Sequence, residues 1–241
     1  MIVATIAFAT CGALASACGG EAGSPLPKTR AVAFADAVNL RPSDVPWLGI
    51  SVFAFQNRNL PPFNSCTTRL DSSDEVVAVH SSWFLHARSE RHFGPQVVAL
   101  RPPVEAVNSR VYVMRTSRLA TGGVAAARSA SIASCVQRTI VKESSGQLIG
   151  REPRKSQIEA SPLSFPLAGV VGYGWRVRGT LAASSYHLRK RPTFFEDTFG
   201  FAVGPAVIVL HASGLGLPFP ATAEHRLLSR LYSRAKTSPL S

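Results

Sequence analysis

The 241-residue chain has only four cysteines, and no two of them form a Cys-x-x-Cys pair. That absence argues against thioredoxin-like redox work. It argues equally against a cysteine-built structural zinc site, which wants four ligands at short local spacings. There is no Gly-x-Ser-x-Gly, so the nucleophile elbow of α/β hydrolases is missing. Neither a phosphate-binding P-loop nor a Gly-x-Gly-x-x-Gly occurs; "GVVGYG", Gly169 to Gly174, has the wrong spacing. His-Glu-x-x-His is absent too. Acidic residues are scarce: 14 Asp and Glu stand against 26 Lys and Arg, a formal net charge of +12.

Charge is missing altogether from Ile2 to Ala17, which also lacks proline. This run is rich in Ala, Ile, Val and Phe and ends in Ala15-Ser16-Ala17, the pattern of a secretory signal peptide. It is short of the roughly 20 apolar residues a spanning helix needs. No Lys or Arg precedes it, so either the Met1 amine is its positive charge or the true start lies upstream. Gly19 to Arg30 is rich in Gly, Ser and Pro and reads as a flexible tether.

Leu14-Ala15-Ser16-Ala17-Cys18 resembles a bacterial lipobox, the site cut ahead of a lipid-modified cysteine. The match is permissive, because the lipobox leucine stands one residue too early. Ala15-x-Ala17 also suits ordinary signal peptidase, which would cut the same bond and release a secreted protein. Cysteine arithmetic favours lipidation. Cys11 leaves with the leader, and three cysteines are an odd number for an exported chain. With Cys18 lipidated, Cys66 and Cys135 remain as one pair, which an oxidising compartment favours joining. The alternative is two separate buried thiols.

The apolar fraction of 46% suffices for a real core. For a cytosolic protein the basic charge would suggest nucleic acid. Here the leader argues for export, and the basic residues are scattered, with short clusters at Arg151/Arg154/Lys155 and His187/Arg189/Lys190/Arg191. Outside the cell such a surface attracts anionic lipid headgroups or wall polymers.

Leu48 to Phe55, Val76 to His80 and Val107 to Arg115 read as strands. Leu119 to Lys142 reads as a helix, with Val124, Ala127, Ile132, Cys135, Val136 and Ile140 mostly on one face. Ser144 to Ser161 reads as a loop, and Gly169 to Ala183 as a strand or hairpin weakened by glycines. Thr198 to Val203 and Ala206 to Ala212 form a hairpin around Gly204-Pro205. The last helix is capped by Thr222 and buries Leu227, Leu228, Leu231, Tyr232 and Ala235, with Arg226, Arg230 and Arg234 as a separate stripe. Strands, helix, strands, helix imply an α+β fold, an antiparallel sheet covered by two main helices. The expected organisation is a signal peptide at 1–17, a lipidated cysteine and tether at 18–30, and one domain at 31–241.

The lipobox, the tether, "LRPSDVP", one cysteine pair and the terminal hairpin-plus-helix "DTFGFAVGPAVIVLHASG" to "PFPATAEHRLLSRLYSRA" resemble actinobacterial envelope lipoproteins. More distantly the layout is similar to the Mog1/PsbP-like fold and to extracellular sensor domains of mycobacterial kinases. The resemblance implies a binding or sensing domain and transfers no catalytic residue.

Isolated polar residues supply weaker candidates for sites. His80, His86 and His92 recur at a spacing that is neither helical nor extended, so metal binding is not expected and no cofactor is implied. Ser213 beside His211 is no catalytic pair by spacing alone. Asp71, Asp74, Glu75, Glu196 and Asp197 could supply paired acids, but sit in turn-like contexts. Asp44 and Asp197 are expected to bond their local backbone. Trp47, Trp83 and Trp175 are core residues by default. Trp175 with Arg176 and Arg178 is the candidate wall for an anionic ligand. The resulting expectation is a membrane-anchored lipoprotein at the outer face of the cytoplasmic membrane. It binds an anionic envelope lipid, a wall polymer or a partner protein. An envelope hydrolase is the alternative, and a nucleic-acid binder follows only if the chain is not exported.

Overall fold

The structure, a computed structural model, describes residues 26–50, 66, 74–87, 90–92, 98–100, 103–129, 131–135, 158–180, 193–238 and 240. The leader, Cys18, the tether to residue 25, Ser51 to Phe55, Asp71 and both basic clusters lie outside these residues.

Three long strands make the centre of the sheet: β6 (Val104–Met114), β9 (Thr193–Val203) and β10 (Ala206–Leu215). Outside β9 lie β8 (Gly172–Thr180) and then β7 (Ile158–Pro162). The other edge of β6 is shared. β2 (Glu75–His80) covers its C-terminal half and β3 (Phe84–Ala87) its N-terminal half, and β1 (Gly49–Ile50) pairs with β3. The order is β1-β3-β6-β10-β9-β8-β7, with every pairing antiparallel. A separate ladder joins β4 (Glu90–His92) to β5 (Val98–Leu100). The fold is α+β, as the order of elements implies.

Helices cover both faces. On the first, α1 (Lys28–Val38) and α3 (Ala221–Thr237) bury Ala31, Phe34, Ala35, Val38, Leu227, Leu228, Leu231 and Ala235. Their partners are Val107, Val111 and Val113 of β6, Phe199 and Phe201 of β9, and Ile208 and Leu210 of β10. Each Val, Leu, Ile or Phe among them contributes about 1.5–3 kcal/mol on full burial. On the second face, α2 (Ser117–Ala127) sets Ala120, Val124 and Ala127 against Tyr112, Met114, Val207, Val209, Tyr173 and Trp175.

Two polar joints fix the first layer. After α1, the Leu40 backbone N–H donates to Ser109 Oγ and Ser109 Oγ donates to Asn39 Oδ1, both at 2.8 Å. The 3-10 turn Pro42–Asp44 presents Asp44, only 2% exposed, to the arginine stripe of α3. Arg234 Nη1 and Nη2 reach its oxygens at 2.8 and 2.7 Å, and Arg230 Nη1 at 3.2 Å. Asp44 also accepts from the Arg41 backbone, the local bond expected of it. Burial alone would raise the Asp44 pKa, but these hydrogen bonds and charges outweigh it and hold the carboxyl below its ordinary value. Arg226, the third member of the stripe, stacks over Trp47 at 4.5 Å.

Several elements differ from expectation. α1 begins at Lys28, inside the stretch read as tether. The helix expected over Leu119 to Lys142 stops at Ala127 and resumes over 131–135. There the N–H groups of Arg128 and Ser129 reach back three residues to Ala125 and Ala126, tightening and ending the turn. β7 starts inside the predicted loop Ser144 to Ser161. Pro220, not Thr222, occupies the N-cap of α3, and its carbonyl takes the Ala223 and Glu224 N–H groups. The Gly204-Pro205 hairpin is a true two-residue turn: Val203 pairs with Ala206, and Gly204 takes φ 55°, which suits glycine. Cys66 and Cys135 are bonded, with Cα atoms 5.6 Å apart.

Candidate ligand-binding site

Strand alternation sorts β6 into two sets. Val107, Ser109, Val111 and Val113 face α1 and α3. Asn108, Arg110, Tyr112 and Met114 face the other way. At the turn end this second face is apolar and packs on α2. Further along it becomes polar while staying buried. His80 stands opposite Arg110 across β2–β6, Asn108 opposite His211 across β6–β10, and His211 opposite Thr198 across β10–β9. Arg110, Asn108, His211 and Thr198 are all at most 5% exposed. The β2 end of the cluster is the exposed His80.

Few of these polar atoms are satisfied within the cluster. Arg110 Nη1 donates to Tyr112 Oη at 2.7 Å, and Thr198 Oγ1 meets His211 Nδ1 at 3.2 Å. Arg110 Nε and Nη2, His211 Nε2 and Asn108 Oδ1 are buried with no hydrogen-bond partner among the described residues. An unpaired buried charge costs several kcal/mol, so chains rarely keep one without a use. Glu75, at the far end of β2, attracts Arg110 through space but makes no ion pair with it among the described residues.

Burial and the Arg110 charge act together on the histidines. His211 is pushed down to about 3 by burial, then by Arg110 and His80. His80 is pushed down to about 4 by the buried share of its ring and by Arg110. Both are neutral at neutral pH. Burial also raises Glu75, against the pull of Arg110. The cluster therefore offers one guanidinium cation set among neutral donors and acceptors.

The residues singled out from sequence lie elsewhere. Trp175 is 3% exposed on the second face, and its indole Nε1 donates to the Ala127 carbonyl at 2.7 Å, closing the end of α2. Arg176 projects from the first face and Arg178, two residues on, shares it, so the three do not line one wall. Arg176 forks onto Asp197, with Nε to Oδ1 at 2.6 Å and Nη2 to Oδ2 at 2.5 Å. Asp197 thus bonds a cross-strand partner rather than its local backbone, because the β8–β9 register sets Arg176 directly opposite. Glu224 is buried in the first turn of α3 close to Asp197, and its Oε1 makes no hydrogen bond among the described residues. Its carboxyl is pushed up to about 8 by burial, then by Asp197, against the pull of Arg176. Trp175 does border a surface groove of about 380 Å³, where Leu163, Phe165, Tyr173 and Arg128 are neighbours. Cys18 lies outside the described residues. No group of three or more His, Cys, Asp or Glu side chains converges among the described residues.

Sequence reasoning missed Arg110, Asn108 and His211. "VNSRVYVM" reads as a half-buried strand whose polar residues face water. The usable signal lies in "AVIVLHA", where His211 interrupts an apolar run too continuous for an exposed face.

No protein-family model matches this sequence, and no curated protein matches it. A weak structural neighbour is the extracellular domain of PknH from Mycobacterium tuberculosis, with a TM-score of 0.40 and 10% identity over 88% of this chain and 98% of that one.

Proposed function

We propose that this chain is an exported domain, held at the outer face of the cytoplasmic membrane by lipid on Cys18, that binds or senses an envelope ligand through the Arg110 cluster. The observation that carries the binding role is the buried guanidinium with two unmade hydrogen bonds amid neutral polar groups. The leader pattern supports export, and the Cys66–Cys135 bond suits an oxidising compartment. No helix among the described residues is long and apolar enough to cross a membrane. In this reading the basic surface assists retention near anionic headgroups or wall polymers.

Intact mass of the membrane-fraction protein, before and after reduction, tests location. The expected result is a diacylglyceryl mass on a chain starting at Cys18, with two hydrogens gained on reduction. A full-length, reduced, cytosolic protein would refute export and make nucleic acid the first partner to test. Thermal unfolding in the presence of envelope small-molecule extracts tests the binding role. A stabilising fraction whose effect disappears in Arg110→Met is expected. If Arg110→Met leaves every such shift intact, the cluster is not the ligand seat.

A second reading, an envelope hydrolase, draws on the Glu224–Asp197 pair, a carboxyl held protonated beside a carboxylate. The Arg176 fork already occupies both Asp197 oxygens, which favours a structural role for the pair.

A further inference from the structure

We propose that the Nε–Nη2 edge of Arg110 is the receptor for a small carboxylate ligand that carries a hydroxyl near its carboxyl group. This rests on the reading that the Arg110 cluster is the ligand seat.

The free atoms of Arg110 are informative. Nη1 is engaged by Tyr112, while Nε and Nη2 are unpartnered among the described residues. Those two N–H groups lie on one side of the planar guanidinium and point in parallel, the fork that accepts a carboxylate through two bonds. The same molecule shows the fork in use: Arg176 grips Asp197 with its own Nε and Nη2. Arg110 presents that edge with no carboxylate of the described residues on it, buried to 2% exposure.

Charge balance narrows the class. Around Arg110 the two histidines are neutral, and Glu75, which attracts it through space, makes no ion pair with it among the described residues and is itself pushed up by burial. One cation offsets one negative charge, so a monoanionic carboxylate matches better than a dianionic phosphate. Two further atoms await partners on the same face. Asn108 Oδ1 accepts a hydrogen bond, and the His211 Nε2 position donates or accepts according to which ring nitrogen holds the proton. A ligand hydroxyl serves both, since it donates to one and accepts from the other. The exposed His80 marks the solvent side from which a ligand would approach.

The test uses the exported protein purified in detergent, with lactate as the probe, methyl lactate as its neutral ester, acetate as the carboxylate without a hydroxyl, and inorganic phosphate as the alternative anion. Lactate at about 100 times its Kd should raise Tm by roughly 5–10 °C. Methyl lactate should do nothing, and phosphate should act more weakly than lactate. Arg110→Met should abolish the shift, and Arg110→Lys, which keeps the charge but not the fork, should lose most of it. Asn108→Ala should weaken lactate by roughly tenfold while leaving acetate unchanged. A shift with phosphate but not lactate overturns the carboxylate assignment and leaves the binding reading standing, provided Arg110→Met removes it. The same holds if only envelope extracts stabilise the protein and Arg110→Met cancels them. A lactate shift that survives in Arg110→Met overturns the site itself. Should neither probes nor extracts stabilise the wild type, both this inference and the binding reading fail.

Discussion

Exchanging Arg110 for methionine is expected to leave the fold as stable as before or to strengthen it. Arg110 buries two donors that make no hydrogen bond among the described residues, each costing about 1–3 kcal/mol. The exchange removes both, along with the charge, and replaces them with an unbranched apolar chain that fills irregular space. What is lost is the bond from Arg110 Nη1 to Tyr112, about 1.5–3 kcal/mol, and the attraction to Glu75. Tyr112 keeps a further interaction of its own when that bond goes. The balance falls between zero and about 3 kcal/mol of stabilisation, in line with buried ions replaced by hydrophobes elsewhere. The contrast is Arg176→Met. That exchange strands Asp197, which is 1% exposed, and should cost about 3 kcal/mol. Urea unfolding of both variants, with the m-value compared to wild type, reads the difference. If the Arg110 variant loses more than about 2 kcal/mol at unchanged m, Arg110 is a structural residue and the argument from its unmade bonds is wrong.

Three other outcomes follow from the same structure. The folded Glu224 holds its proton up to about 8, against an ordinary value of 4.5, so the stability it contributes is complete below 4.5 and is lost as pH rises towards 8. Glu224→Gln, which mimics the protonated acid, should gain about 3 kcal/mol at pH 7 and flatten that slope, measured by urea titrations across pH. Asp44 behaves oppositely: its lowered pKa supplies stability above 3.8 that fades as pH falls through the folded value, so Asp44→Asn should cost about 2–4 kcal/mol at pH 7 and blunt the acid limb of the profile. Replacing Cys66 and Cys135 together with serine opens a loop of 69 residues and should cost about 4 kcal/mol, read as a lower urea midpoint.

The terminal hairpin and α3 were legible because their patterns are local. Two β-rich runs flank Gly204-Pro205, and Leu227, Leu228, Leu231 and Ala235 repeat at helical spacing. The disulfide was legible by elimination, from an odd cysteine count. α1 carries a usable signal too, since Ala31, Phe34, Ala35 and Val38 recur at i, i+3, i+4 and i+7. It was hidden by the Gly/Ser/Pro stretch beside it and by small alanines that give little contrast. β7 had no such signal: "IEASP" takes its strand conformation from pairing with β8, a long-range contact. The site was illegible for a related reason. Whether the polar face of β6 meets water or protein depends on what packs there, and alternation reads the same in both cases. Trp175 and Arg176 look like one wall in sequence because they are adjacent, yet in an extended strand adjacency guarantees opposite faces.

The central claim is that the Arg110 cluster holds a small anionic ligand in the exported protein. Native mass spectrometry of the protein extracted from membranes, compared with the Arg110→Met variant prepared identically, tests it most directly. The account predicts a wild-type adduct of small-molecule mass that is released on denaturation and is absent from Arg110→Met. An adduct of equal occupancy in both proteins, or none in either even when lactate, phosphate and envelope extracts are supplied, would contradict it.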